Sequence, residues 1–149
     1  MCGTRDAARF GSEVAAAGQP VHYDLTGRIL EACFEVSNEL GPGFLESVYQ
    51  HALVIALRDM GLRSEAEVPL RVCFRGCPVG QFAADIVVEG KVMVELKAVR
   101  KLAPEHQAQL INYLNACEVD VGLLVNFGAR PLDYKRCHRG AGKRLSAAE

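Results

Sequence analysis

The hydrophobic period changes once along this chain, and that change restricts the fold more than any other feature. Between Asp24 and Met60 apolar residues recur at helical spacing, whereas between Glu67 and Ala98 they alternate with polar ones. Asp24 or Thr26 is expected to cap a helix running to about Leu40, with Ile29, Leu30, Cys33, Val36 and Leu40 inward. Gly41 ends it and Pro42 prevents continuation. A second helix is expected from about Leu45 to Met60, with Val48, Ala52, Ile55 and Ala56 or Leu57 inward, closed by Gly61.

After the change, Glu67 to Phe74 reads as a strand, with Val68, Leu70, Val72 and Phe74 on one face. Arg75-Gly76-Cys77-Pro78 reads as a turn. Phe82 to Val88 and Lys91 to Ala98 read as two further strands about Gly90. Pro104 suits the first turn of a third helix reaching about Cys117. Val119 to Asn126 has the look of a buried strand, and Tyr134 to His138 adds a short edge strand. The order α-α-β-β-β-α-β(-β) implies an α/β fold, a mixed sheet flanked by helices.

The chain has 149 residues, the size of one domain, and half of them are hydrophobic, enough for a real core. We expect a loose leader over 1–20, a domain over 21–139 and a basic tail over 140–149. No apolar run approaches the roughly 20 residues of a membrane span. The first 20 residues lack the pattern of a signal peptide, so a cytoplasmic location is the default. Six cysteines are then expected as thiols, several of them buried. Cys73 and Cys77 share a strand and turn without two further zinc ligands, and Cys137-His138 stands alone.

The net charge is −1, but it is unevenly spread. Arg130, Lys135, Arg136, Arg139, Lys143 and Arg144 crowd the C-terminal end, either to touch phosphates or as a solvated tail.

The chemistry-bearing feature is Val92-Met93-Val94-Glu95-Leu96-Lys97-Ala98. Residues two apart on a strand share a face, so Glu95 and Lys97 project together while Val92, Val94 and Leu96 feed the core. Two charges on an otherwise apolar strand need a partner or an ion. Alone, they read as a structural ion pair. Asp85 on the preceding strand changes that reading, since carboxylates with a lysine suit Mg²⁺, or Mn²⁺ in its place. Asp85 joins their face only if the hairpin loop is odd. A three-residue loop ending in Gly90 would pair Val87 with Lys91 and align all three; a two-residue loop at Glu89-Gly90 would separate them.

Asp85-x9-Glu95-x-Lys97 has the spacing of the PD-(D/E)XK nuclease motif, with Ala84 in place of the proline. Gly43-Phe44-Leu45-Glu46-Ser47-Val48-Tyr49 resembles the GxxExxY signature of a bacterial family within that superfamily. Asn38 to Gly43, Val94 to Val99, Ala108 to Leu114 and Gly122 to Gly128 follow in the family's order, so the likeness runs from Leu25 to His138. The resemblance implies a restriction-endonuclease-like fold and Mg²⁺-dependent hydrolysis of phosphodiester bonds in nucleic acid. It implies that Glu46 joins Asp85 and Glu95 as metal ligands and that Lys97 completes the catalytic set. Gln109-x3-Tyr113 resembles a QxxxY element, and with Tyr49 these residues are expected to contact the nucleic-acid backbone or to hold the acidic cluster. A non-catalytic nucleic-acid- or protein-binding module is the competing reading, as is a subunit of a homodimer or of a larger assembly. No helix-turn-helix or zinc finger is present to read bases, so contacts are expected through phosphates.

Overall fold

The computed structural model describes residues 21–117 and 119–140. The expected leader over 1–20 and the tail from 141 onward, with Lys143 and Arg144, lie outside the described residues. No helix among the described residues is long and apolar enough to cross a membrane.

Helix α1 spans Tyr23–Leu40 and α2 spans Glu46–Asp59. Neither expected cap of α1 forms. Asp24 and Thr26 both lie inside the helix, and the Thr26 hydroxyl donates back to the Tyr23 carbonyl at 2.9 Å. Gly41 does end the helix, with φ 69° and its N–H donating to Ser37 O. The inward face of α2 differs from expectation. Tyr49, Gln50, Leu53 and Leu57 are buried, whereas Val48 and Ile55 are exposed. Apolar residues cover more than one side of this helix, so two stripes competed, and the one carrying the aromatic ring went inward.

Strands β1 (Ser64–Phe74), β2 (Cys77–Val88) and β3 (Val92–Lys97) follow, then α3 (Pro104–Cys117), β4 (Val121–Asn126) and β5 (Asp133–His138). They form one sheet in the order β1-β2-β3-β4-β5. All neighbours are antiparallel except β3 and β4, which α3 connects as a parallel crossover. On one side Ile86, Val88, Val94, Leu96, Leu123 and Val125 pack against α1 and α2. On the other, Leu70, Ala84, Met93 and Leu124 pack against Leu110 and Leu114 of α3. Cys33 and Cys137 are buried in these two cores.

The β2–β3 hairpin has the expected odd loop, shifted by one residue. Val88 pairs with Val92, leaving Glu89-Gly90-Lys91 between the strands. Glu89 and Gly90 both have positive φ, so glycine occupies the middle of the loop rather than its end. Val87 therefore pairs with Met93, not Lys91, and the parity that places Asp85 beside Glu95 is kept.

The β1–β2 ribbon is much longer than the β2–β3 ladder. Its pairing continues out to Phe74 and Cys77, while the regular β2–β3 pairs are Ile86–Val94, Val87–Met93 and Val88–Val92. Beyond Ile86 the ribbon leaves β3. The break falls where Glu67 and Asp85 stand between the pairs Ala66–Ile86 and Val68–Ala84. Glu67 has φ 52°, left-handed for a residue with a side chain. Ala84 faces α3 while Ile86 faces α1 and α2, although residues two apart normally share a face. The ribbon thus turns over at Asp85.

The far end of β3 is fixed by a clamp. Asn126, fully buried, donates to Val99 O at 2.8 Å and accepts the N–H groups of Val99 and Gly128, each at 3.0 Å. Phe127 N–H donates to Lys97 O at 2.8 Å. A Cβ on Gly128 would lie 2.4 Å from Val99 O, so only glycine fits there.

Candidate active site

The site lies where β2 parts from β3. Separated strands leave backbone N–H groups without ladder partners, and buried N–H groups need acceptors. Here the acceptors are carboxylates. Asp85 Oδ2 accepts the N–H of Leu96 at 2.8 Å, and Glu95 Oε1 accepts the N–H of Asp85 at 3.4 Å. The fold thus needs oxygen acceptors at these two positions, and Asp and Glu supply them with charge in addition.

The two carboxyl groups stand close enough for each to act on the other's charge. Burial, and then the Asp85 charge, push Glu95 up to about 8, and a hydrogen bond between the two side chains acts in the same direction. Asp85 is also raised, first by burial; Leu96 N–H opposes this, while the charges of Glu46 and Glu67 add to it. Lys97, on the same face as Glu95, favours the charged form of both. Tyr113 reaches the pair from α3. Its hydroxyl is raised by burial and then by the charges of Glu95 and Asp85, and its ring lies 5.0 Å from that of Phe82 on β2.

On the α2 side Asp85 opens into a cleft of about 230 Å³ lined by Glu46, Ser47, Gln50, Glu67 and Leu96. Glu46 is the first residue of α2, where the helix dipole favours its charge. One turn later, buried Gln50 uses both protons of its amide. Nε2 donates to Asp85 O and to Glu67 Oε1, each at 2.8 Å. Gln50 thereby pins α2 to the turnover of the ribbon.

The structure therefore brings Glu46 to Asp85 across the cleft, and Glu95, Lys97 and Tyr113 to Asp85 beside the sheet. Asp85 belongs to both groups, and Glu95 does not line the cleft. Among the described residues no three acidic, histidine or cysteine side chains form a group able to hold a metal ion, so the expected trio Glu46, Asp85 and Glu95 does not close on one point. Gln109 is exposed on α3, one turn before Tyr113. His106, at the start of that helix, accepts the N–H of Ala103 at 3.0 Å and so serves as a cap.

Tyr49, expected at the substrate, is fully buried. Its hydroxyl donates to Gly41 O at 2.6 Å and accepts Phe44 N–H at 3.2 Å, fixing the turn that delivers Glu46. Its ring stacks on Phe127 at 4.8 Å. The C-terminal bases are partly committed inside the fold. Arg136 donates to the Thr26 hydroxyl and lies over the Tyr23 ring, Arg130 reaches Ser37 O, and Arg139 pairs with Asp120 at 2.8 Å. Gln50 and Glu67 are the site residues the sequence reading missed. The signal for Gln50 was its place four residues after Glu46, on the same helix face. Nothing in the sequence marks Glu67, because its position depends on where the ribbon turns over.

The model of the PD-(D/E)XK nuclease superfamily matches residues 23–137. No curated protein matches the chain. The fold is similar to the crystal structure of SSO0001, with TM-score 0.50 at 20% identity, over 64% of this chain and 50% of that one. The likeness thus covers half the length of that protein and concerns the fold alone.

Proposed function

The chain belongs to the PD-(D/E)XK nuclease superfamily, and on that footing we propose that it is a metal-dependent nuclease of the GxxExxY branch that hydrolyses phosphodiester bonds in cytoplasmic nucleic acid. The observation that carries the proposal is the Asp85–Glu95 pair at the split between β2 and β3, with Lys97 on the same face.

The donors fit a hard divalent cation. Two part-buried carboxyl groups whose pKa values are both raised form a place where a cation relieves their repulsion. Mg²⁺ is commonly held by one or two carboxylates and completes its shell with water and phosphate oxygens. Asp85 and Glu95 would hold it, with Glu46 and Glu67 adding negative charge from across the cleft. When bound, the metal neutralises phosphate charge and acidifies a water. Lys97 then supplies a compact positive charge for the water or for the charge developing on phosphate. Tyr113 and Gln109, along the same helix, would contact the nucleic-acid backbone or hold the acidic cluster, a role that the approach of Tyr113 to Asp85 and Glu95 supports. Gln50 and Tyr49 hold α2 so that Glu46 faces Asp85.

The test is a panel of single-stranded, duplex, flap and RNA substrates with Mg²⁺ or Mn²⁺. Metal-dependent cleavage that disappears in folded Asp85→Asn protein supports the proposal. Cleavage that survives in that variant, or no cleavage of any substrate by the parent, points to a non-catalytic binding module.

A further inference from the structure

The ribbon beyond Asp85 and Glu67 projects past the site, and its composition differs from that of the rest of the chain. Between Glu67 and Asp85 there is no acidic residue, while Arg71 and Arg75 are both exposed. Phe74 is 56% exposed and Val79 62% exposed, and Arg75 lies over the Phe74 ring at 4.9 Å. The ribbon turns tightly at Arg75-Gly76, both with positive φ, and Phe74 pairs with Cys77 beside that turn.

One face of the arm is occupied. Leu70 is buried in the α3-side core and Phe82 leans on Tyr113. The pairs Pro69–Ala83 and Arg71–Gln81 occupy the other face, in line with Glu67 and Asp85 at the root. At about 3.3 Å per residue, Arg71 stands roughly 13 Å from Glu67 and Phe74 roughly 23 Å. The row on this face therefore runs from the clustered carboxylates to Arg71, while Phe74, on the Leu70 side by alternation, stands with Arg75 at the tip of the arm.

Resting on the nuclease reading, we propose that this arm binds a single-stranded segment of the nucleic-acid substrate and leads it into the cleft. The only charges on the arm between Glu67 and Asp85, Arg71 and Arg75, are complementary to phosphate. Phe74 and Arg75 offer a flat surface on which an unpaired base can stack, and that surface is closed to bases within a duplex. The arrangement reads no base edge, so the arm selects for strandedness rather than sequence.

The experiment uses the full chain in EDTA, so that binding is measured apart from cleavage. Fluorescence anisotropy with a short oligothymidylate and with a duplex of equal length is recorded across salt concentrations. The parent binds the single strand more tightly. Phe74→Ala weakens that binding about 10-fold. The pair Arg71→Gln with Arg75→Gln weakens it and lowers the salt slope by about 0.7 per arginine. All these positions are exposed, and unchanged thermal melting verifies the fold. Variants that bind as tightly as the parent, or a parent that prefers duplex or binds neither, overturn the inference. So does concentration-dependent self-association that Phe74→Ala abolishes, since the arm is then a protein interface. The nuclease reading is judged separately, by metal-dependent cleavage and its loss in Asp85→Asn.

Discussion

The Asp85 carboxylate accepts the backbone N–H of Leu96 at 2.8 Å, at the point where β2 and β3 cease to pair. One side chain thus substitutes for a ladder bond and presents charge to the cleft. Structure and chemistry are joined at this residue, so a substitution must preserve the first to test the second. Asp85→Asn keeps an oxygen acceptor and removes the charge, which makes it the informative change.

Metal and stability should be linked through that charge. Mg²⁺ or Mn²⁺ at a hundred times its dissociation constant stabilises the folded parent by about 2.7 kcal/mol and so raises its melting temperature. Thermal melting with and without metal measures it. The increment disappears in Asp85→Asn, and an unchanged parent curve counts against the metal site.

Glu95 predicts the pH dependence. Its folded-state pKa, about 8, lies above the ordinary 4.5, so the folded protein holds a proton that the unfolded chain releases. In the absence of metal, stability contributed by this group is complete below about pH 4.5 and is lost as the pH rises towards 8. Because the charges of Glu95 and Asp85 act on each other, the pair titrates as a unit. Urea midpoints measured in EDTA across this range fall with pH in the parent and stay nearly level in Glu95→Gln.

Lys97 separates catalysis from scaffolding. Lys97→Ala is expected to lower kcat about 10²–10³-fold while metal still raises the melting temperature. Single-turnover kinetics on the substrate identified for the parent, with a melting curve beside it, make the comparison. Equal turnover by a folded, metal-binding variant refutes the role.

Gln50 offers a stability test away from the charged pair. Gln50→Leu leaves the Asp85 carbonyl without its amide partner, which should cost about 1–3 kcal/mol. It also frees α2 from the ribbon, so metal affinity falls as well. Urea unfolding reads the first effect and metal titration the second.

Gly128→Ala should destabilise the protein by at least about 2 kcal/mol, since the added Cβ meets the Val99 carbonyl at 2.4 Å with no flexible neighbour to yield. Chemical denaturation checks this, and activity per folded molecule should fall with it, because the same clamp holds Lys97.

The element order was legible in the sequence because alternation and helical spacing are local signals, and each segment carries its own. Loop parity was legible for a different reason: two carboxylates and a lysine share one face only if the loop is odd. The register was not, because Gly90 suits the middle of that loop as well as its end. The α2 face was misread since Val48-Ala52-Ile55 and Tyr49-Leu53-Leu57 are rival apolar stripes, and only the turn at Gly41–Phe44, which needs the Tyr49 hydroxyl, decides between them. Glu67 stayed hidden because its role arises where two strands turn over together, a tertiary event with no local pattern, whereas the helical spacing of Gln50 from Glu46 was a signal that its partners on the ribbon alone explain.

Tyr49 joins the two ends of the site. Its hydroxyl fixes the turn before Glu46, its ring stacks on Phe127, and Phe127 N–H bonds to Lys97 O. Glu46 and Lys97 come from different elements, yet one stacked pair of rings links the turn before the first to the backbone of the second. A shift at either ring is therefore expected to reach both Glu46 and Lys97. Substitutions at Tyr49 and Phe127 should consequently be non-additive, because breaking either ring contact already releases both ends.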